Sequence, residues 1–171
     1  MLLSVLLLIA FPFAMIYAAS TDLLTMRIEN RVCLGLAAAF FLAAALSGMP
    51  WQAVGSHAAA GFLCLVVAFG LFAAGWIGGG DAKLLAATTL WFGPGQDLLQ
   101  YLLFGALCGG GLTIALLAMR SHVMPATGVA FVDRLLERNT GVPYGIALGA
   151  AGLFVYTNSA WMDIAVRGLA S

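Results

Sequence analysis

VCLGLAAAFFLAAALSGMPWQAVGSHAAAGFLCLVVAFGLFAAGWIGGG, residues 32–80, contains no Asp, Glu, Lys or Arg. A helix that crosses a bilayer takes about 17–25 predominantly apolar residues, so this stretch is too long for one span. Ser47-Gly48-Met49-Pro50 breaks it and predicts helices near 32–47 and 55–76. On the N-terminal side, residues 2–19 form an apolar run that ends at Ser20-Thr21-Asp22. On the C-terminal side comes a short run, 84–93, stopped by Gly93-Pro94-Gly95, and then spans over 98–118 and 143–160. The last opens with Pro143, a residue that helix starts tolerate. Composition agrees: of 171 residues, 63% are hydrophobic and 8% charged, with mean hydropathy +1.05. A soluble domain carries about 25% charged residues. The chain reads as a single all-α integral membrane domain, residues 1–171, built as a bundle of about six transmembrane helices.

Basic residues orient the bundle. With six spans and an external N-terminus, the inside segments are 20–31, 77–83 and 119–142. Arg27, Arg31, Lys83, Arg120, Arg134 and Arg138 fall in them, and of the 7 basic residues only Arg167 falls outside, as the positive-inside rule asks. Asp22 and Asp81 then share the inside face. A cleaved signal peptide would need a basic segment ahead of its apolar core; residues 1–19 are uncharged, so the first run is expected to be a span.

Net charge is zero, which gives no reason to expect a nucleic-acid partner. Cys33, Cys64 and Cys108 lie inside apolar runs with no Cys-x-x-Cys spacing. They read as small apolar helix residues, with no metal, cofactor or disulfide framework expected. His57 and His122 are isolated and read as solvated loop residues. Gly109-Gly110-Gly111 inside the fifth span permits close helix packing or a kink. Residues 129–138 mix apolar and charged side chains at helical spacing. This suits either an amphipathic helix on the membrane surface or an ordinary short loop helix.

Chemistry concentrates at Gly78-Gly79-Gly80-Asp81-Ala82-Lys83 and at Asp22. An acid at the edge of a membrane helix is costly and marks a candidate functional site. Two carboxylates brought close cannot both ionise easily, so one retains a proton. The ionised one can take a proton from water while the protonated one polarises a peptide carbonyl, which is hydrolysis by general acid–base chemistry. Glycines at 78–80 are expected to form a hinge, free to adopt positive φ, past which a substrate backbone could approach Asp81. Lys83, two residues from Asp81, would diverge from it on a helix and is expected to mark the inside edge by snorkelling. A transporter using Asp22 and Asp81 as ion or proton sites is the alternative, although transport sites favour the bilayer midplane. A non-catalytic assembly subunit of a secretion machine is a third reading.

Gly78-Gly79-Gly80-Asp81-Ala82-Lys83 resembles the GxGD motif of membrane-embedded aspartic proteases. Asp22 through Arg27-Ile28-Glu29-Asn30 is similar to the first motif of prepilin peptidases, an Asp followed by Arg-Ile-Pro-Asn. Pro143-Tyr144-Gly145-Ile146-Ala147-Leu148-Gly149 resembles their Pro-aromatic-Gly stretch. The short length points to the compact CpaA/TadV-type members associated with Flp-type (tight-adherence) pili. The resemblance implies a multi-pass protein of the bacterial inner membrane that cuts the leader of type IV prepilins or pseudopilins at the cytoplasmic face. Such substrates carry a basic leader followed by an apolar helix. It implies Asp22 and Asp81 as catalytic residues. Gly78, Gly80, Lys83, Arg27, Asn30, Pro143, Tyr144 and Gly145 match the supporting motif positions. Glu29 stands where the family has Pro. Larger members carry paired Cys-x-x-Cys motifs after the first span; only a short segment lies there in this chain, so N-methylation is not carried over.

Overall fold

The computed structural model describes residues 1–122 and 127–170; residues 123–126, part of the polar 119–142 segment, lie outside them. The described residues form eight helices: α1 (Leu2–Thr25), α2 (Asn30–Ser47), α3 (Trp51–Ala73), α4 (Gly79–Phe92), α5 (Gln96–His122), α6 (Ala130–Leu136), α7 (Tyr144–Tyr156) and α8 (Ala160–Ala170). Six of them correspond to the apolar runs. Four, α1, α2, α3 and α5, are long and apolar enough to cross a bilayer. Helices α4 and α7, with 14 and 13 residues, are shorter than the ordinary spanning length.

Several expected boundaries shift, and α4 in particular begins five residues early, at Gly79, so that Asp81 is helical. Helix α1 continues to Thr25 because Ser20, Thr21 and Thr25 donate their hydroxyls to carbonyls one turn back, on Ile16, Tyr17 and Thr21. The polar residues thus stay in the helix rather than ending it. The expected span 143–160 stops early: α7 ends at Tyr156 and a further helix, α8, begins at Ala160. Between them Asn158 and Ser159 bond the Phe154 and Tyr156 carbonyls, and α8 leaves on a new course. In the 129–138 segment only Ala130–Leu136 is helical. This short helix begins where exposed Asp133 accepts the Thr127 hydroxyl and the Thr127 and Gly128 N–H groups, bonds that hold its carboxyl below the usual range.

Helices that pass through lipid gain little from apolar burial alone and associate through close packing and hydrogen bonds. Helix α1 is flanked by α2, α7 and α8; α7 lies between α1 and α5, and α4 packs on α2, α3 and α7. The α1–α7 seam uses Gly145, Gly149 and Gly152, one face of a helix by spacing. A Cβ on Gly149 would lie 3.0 Å from Ala19 Cβ and from the Met15 carbonyl, and one on Gly152 3.0 Å from Met15 Sδ. Far from that seam's N-terminal end sits an aromatic cluster in which Phe11 stacks on Tyr156 at 4.2 Å and meets Trp91 edge-on at 5.4 Å. Its polar handles are paired: Tyr156 donates to Leu7 O (2.9 Å), Trp91 to Leu36 O (3.0 Å) and Trp161 to Trp91 O (2.7 Å).

His57 is neither in a loop nor solvated. It lies in α3, stacks on Phe40 at 5.4 Å and donates from Nδ1 to the Leu90 carbonyl at 2.7 Å. Here it ties α3 to α4. His122 is exposed in the last turn of α5. Helix α5 runs unbroken through its triple glycine, of which only Gly109 meets another helix.

Candidate active site

Because α1 extends past its apolar run, Asp22 sits on the buried face of a helix rather than at its frayed end; the residue is 6% exposed. The helix stops at Met26, whose φ of 57° is the left-handed conformation of a helix end. Opposite Asp22 stands the start of α7. Pro143 is the N-cap, so the Gly145 N–H is one of the first-turn donors without an intrahelical partner. It donates to Asp22 Oδ2 at 2.7 Å. A side chain at 145 would prevent this, since a Cβ there would lie 2.8 Å from both Asp22 Cβ and Oδ2. The bond and the positive end of the α7 dipole both favour a carboxylate at this point.

Asp81 is in the third position of α4, with Gly78 as N-cap. Its carboxyl turns back toward Gly78, where a Cβ would lie 2.7 Å from Asp81 Oδ2. The expected glycine hinge is not one. Gly79 and Gly80 are helical, and the positive-φ glycines among the described residues are Gly48, Gly75, Gly93 and Gly128. What the site uses is their lack of a side chain. A Cβ on Gly80 would lie 3.2 Å from Ile28 Cβ, and one on Gly79 3.2 Å from the Phe72 ring. The first turn of α4 can therefore press against the α1–α2 connection. Asp81, ahead of the apolar run of α4, is half-buried, and the Asp22 charge acts on it across the site. Burial first and the neighbouring carboxylate second push its carboxyl up to about 7.

The remaining motif residues divide. Lys83 donates to Asn30 Oδ1 at 2.9 Å, cross-linking the first turns of α4 and α2, so it is more than an edge marker. Tyr144 Oη lies 3.0 Å from Thr113 Oγ1 on α5. Arg27 is exposed and makes none of these contacts. Glu29, in the place of the expected Pro, pairs with Arg31 at 2.6 Å on the surface. Two arginines read from the sequence only as inside charges shape the rim. Arg120, 8% exposed, donates to the Leu135 and Gly141 carbonyls, and Arg134 donates to Leu24 O at the end of α1. Ile28, Thr113 and Gly109 also went unremarked as site residues. The spacing of Gly145, Gly149 and Gly152 was the one readable signal for the α1–α7 seam.

Three separated motifs thus meet at one end of the bundle: a carboxylate on α1, a carboxylate on α4, and a helix N-terminus on α7. No curated protein and no solved structure matches the chain significantly. The family model described as type IV leader peptidase family matches residues 9–115, more than half of the chain and a span that contains both aspartates. By that match, this chain belongs to the type IV leader peptidase family.

Proposed function

We propose that the protein is an aspartic endopeptidase that removes the leader of a type IV prepilin, of the Flp type, at the cytoplasmic face of the bacterial inner membrane. One observation carries the reading: Asp22 and Asp81, far apart in sequence, lie within electrostatic reach of each other in unequal surroundings. Pairs of carboxyls pushed apart in proton affinity are suited to divide acid and base roles. Asp22, held by the Gly145 N–H, takes the base role and accepts a proton from water as the oxygen adds to the scissile carbonyl carbon. Asp81 gives its proton to the carbonyl oxygen. On collapse, the hydroxyl proton returns to Asp81 and the Asp22 proton goes to the departing amine, which restores both groups.

The inside-facing orientation rests on the basic residues, which collect at the same end as the two acids. The test is cleavage by purified protein in vesicles of a synthetic precursor with a basic leader, a glycine and an apolar segment. Cleavage that both Asp22→Asn and Asp81→Asn abolish supports the reading. Cleavage that either variant leaves intact overturns the paired mechanism.

A further inference from the structure

We infer that Thr113 of α5 is a positioning residue for the Asp22 carboxylate, acting through Tyr144 and the α7 N-terminus. The inference rests on the paired-aspartate reading above. Thr113 Oγ1 lies 2.7 Å from the Gly109 carbonyl and 3.0 Å from Tyr144 Oη. A hydroxyl has one proton. The Gly109 carbonyl can only accept, so the Thr113 proton goes there, and Tyr144 must donate its own to Thr113. The Tyr144 ring lies over Gly109, where a Cβ would come within 2.6 Å of its edge. Two features of α5, an acceptor hydroxyl and a missing side chain, therefore seat one ring.

That ring belongs to the first residue of α7, and the next residue supplies the N–H that holds Asp22 at 2.7 Å. The preceding Pro143 has a restricted φ, so the start of α7 has little freedom except to pivot on the Tyr144 seat. Helix α5 gives no group to the carboxylates themselves. Its contribution is to fix where the one backbone donor to Asp22 stands. A shift of a few tenths of an ångström there changes the direction from which Asp22 meets water, without altering how the rest of the substrate binds.

The experiment compares Thr113→Val, Thr113→Ser and Tyr144→Phe in the full chain in vesicles, with the synthetic precursor as substrate. Thr113→Val keeps the shape and removes the acceptor. Its kcat falls on the order of tenfold at unchanged KM, the factor carried by one net hydrogen bond. Tyr144→Phe loses a similar amount, and the double variant loses no more than the larger single one. Thr113→Ser restores the wild-type rate. Hydrogen exchange over residues 142–148 gives a readout independent of cleavage: the Gly145 amide exchanges faster in Thr113→Val and normally in Thr113→Ser. Wild-type kcat and exchange in Thr113→Val, or a loss that Thr113→Ser fails to restore, overturns the inference while the peptidase reading stands. Absence of cleavage by the wild-type chain, with exchange responding as stated, sinks the peptidase reading and leaves the Thr113–Tyr144–Asp22 coupling in place.

Discussion

At the scale of single residues, the two aspartates are best tested by Asn. An amide side chain at position 22 would still accept the Gly145 N–H, and one at position 81 keeps the shape of the carboxyl. Each site then keeps its packing while the titrating group is lost. Asp22→Asn and Asp81→Asn are each expected to lower cleavage at least about 100-fold, with membrane abundance unchanged in a blot of the same samples. The proton on Asp81 adds a pH dependence. Asp81, raised to about 7 by burial and by Asp22, serves as the acid only while protonated. Activity should therefore fall as pH rises through that value, by roughly tenfold per unit, and fall again at lower pH where Asp22, the base, is itself protonated. A rate that stays flat through that range would assign the proton elsewhere. Both aspartates were conspicuous in the sequence because charge at a span edge stands out against an apolar background, whereas Gly145 came only through the resemblance of its motif. Thr113 and Ile28 were not. Their importance comes from partners on other helices, and neither residue type is unusual in an apolar run.

At the scale of elements, the apolar runs located six helices, and the errors lay where short-range bonding outweighs hydropathy. The hydroxyls of α1 carry it about a turn and a half beyond its apolar run, which is what turns Asp22 inward. Helix α8 was not anticipated: it begins where the expected last span ends, after a break at Thr157-Asn158-Ser159. The glycines were expected to supply backbone freedom, whereas they supply space, and the two roles predict different outcomes. Gly80→Val should place a branched side chain against Ile28, part α4 from the α1–α2 connection and move Asp81 away from Asp22. Activity per inserted molecule is then expected to fall further than abundance; normal specific activity would reduce Gly80 to a packing detail. Gly149→Val acts on the α1–α7 seam, a turn from the site. Overpacking of this kind costs about 1–3 kcal/mol, so a lower melting temperature in detergent should be its main effect. An unchanged melting point would show that α7 can retreat from Met15 and Ala19 without penalty.

At the scale of the whole molecule, the dyad and the aromatic cluster mark the two ends of one bundle. Helix α7 covers the distance between them, from Gly145 beside Asp22 to Tyr156 beside Leu7. Helix α8 then folds back so that Gly168 lies against Ser4, near the start of α1. The start of α1 and the end of α8 therefore lie together, at the end opposite the acids. Lys83, Arg120 and Arg134 are all bonded at the acid end, and the proposed cytoplasmic orientation rests on that asymmetry of basic residues. Cysteine labelling of intact cells tests the orientation in a variant that lacks Cys33, Cys64 and Cys108. Probes at Trp51 and Gln96, exposed at the starts of α3 and α5, should react with a membrane-impermeant reagent. Probes at Glu29 and Asn139, beside the acid end, should react only after permeabilisation. The reverse pattern would turn the acids outward, where a leader held on the cytoplasmic side could not reach them. The chemistry of the pair would survive such a result, but its substrate would have to be a chain presented from outside.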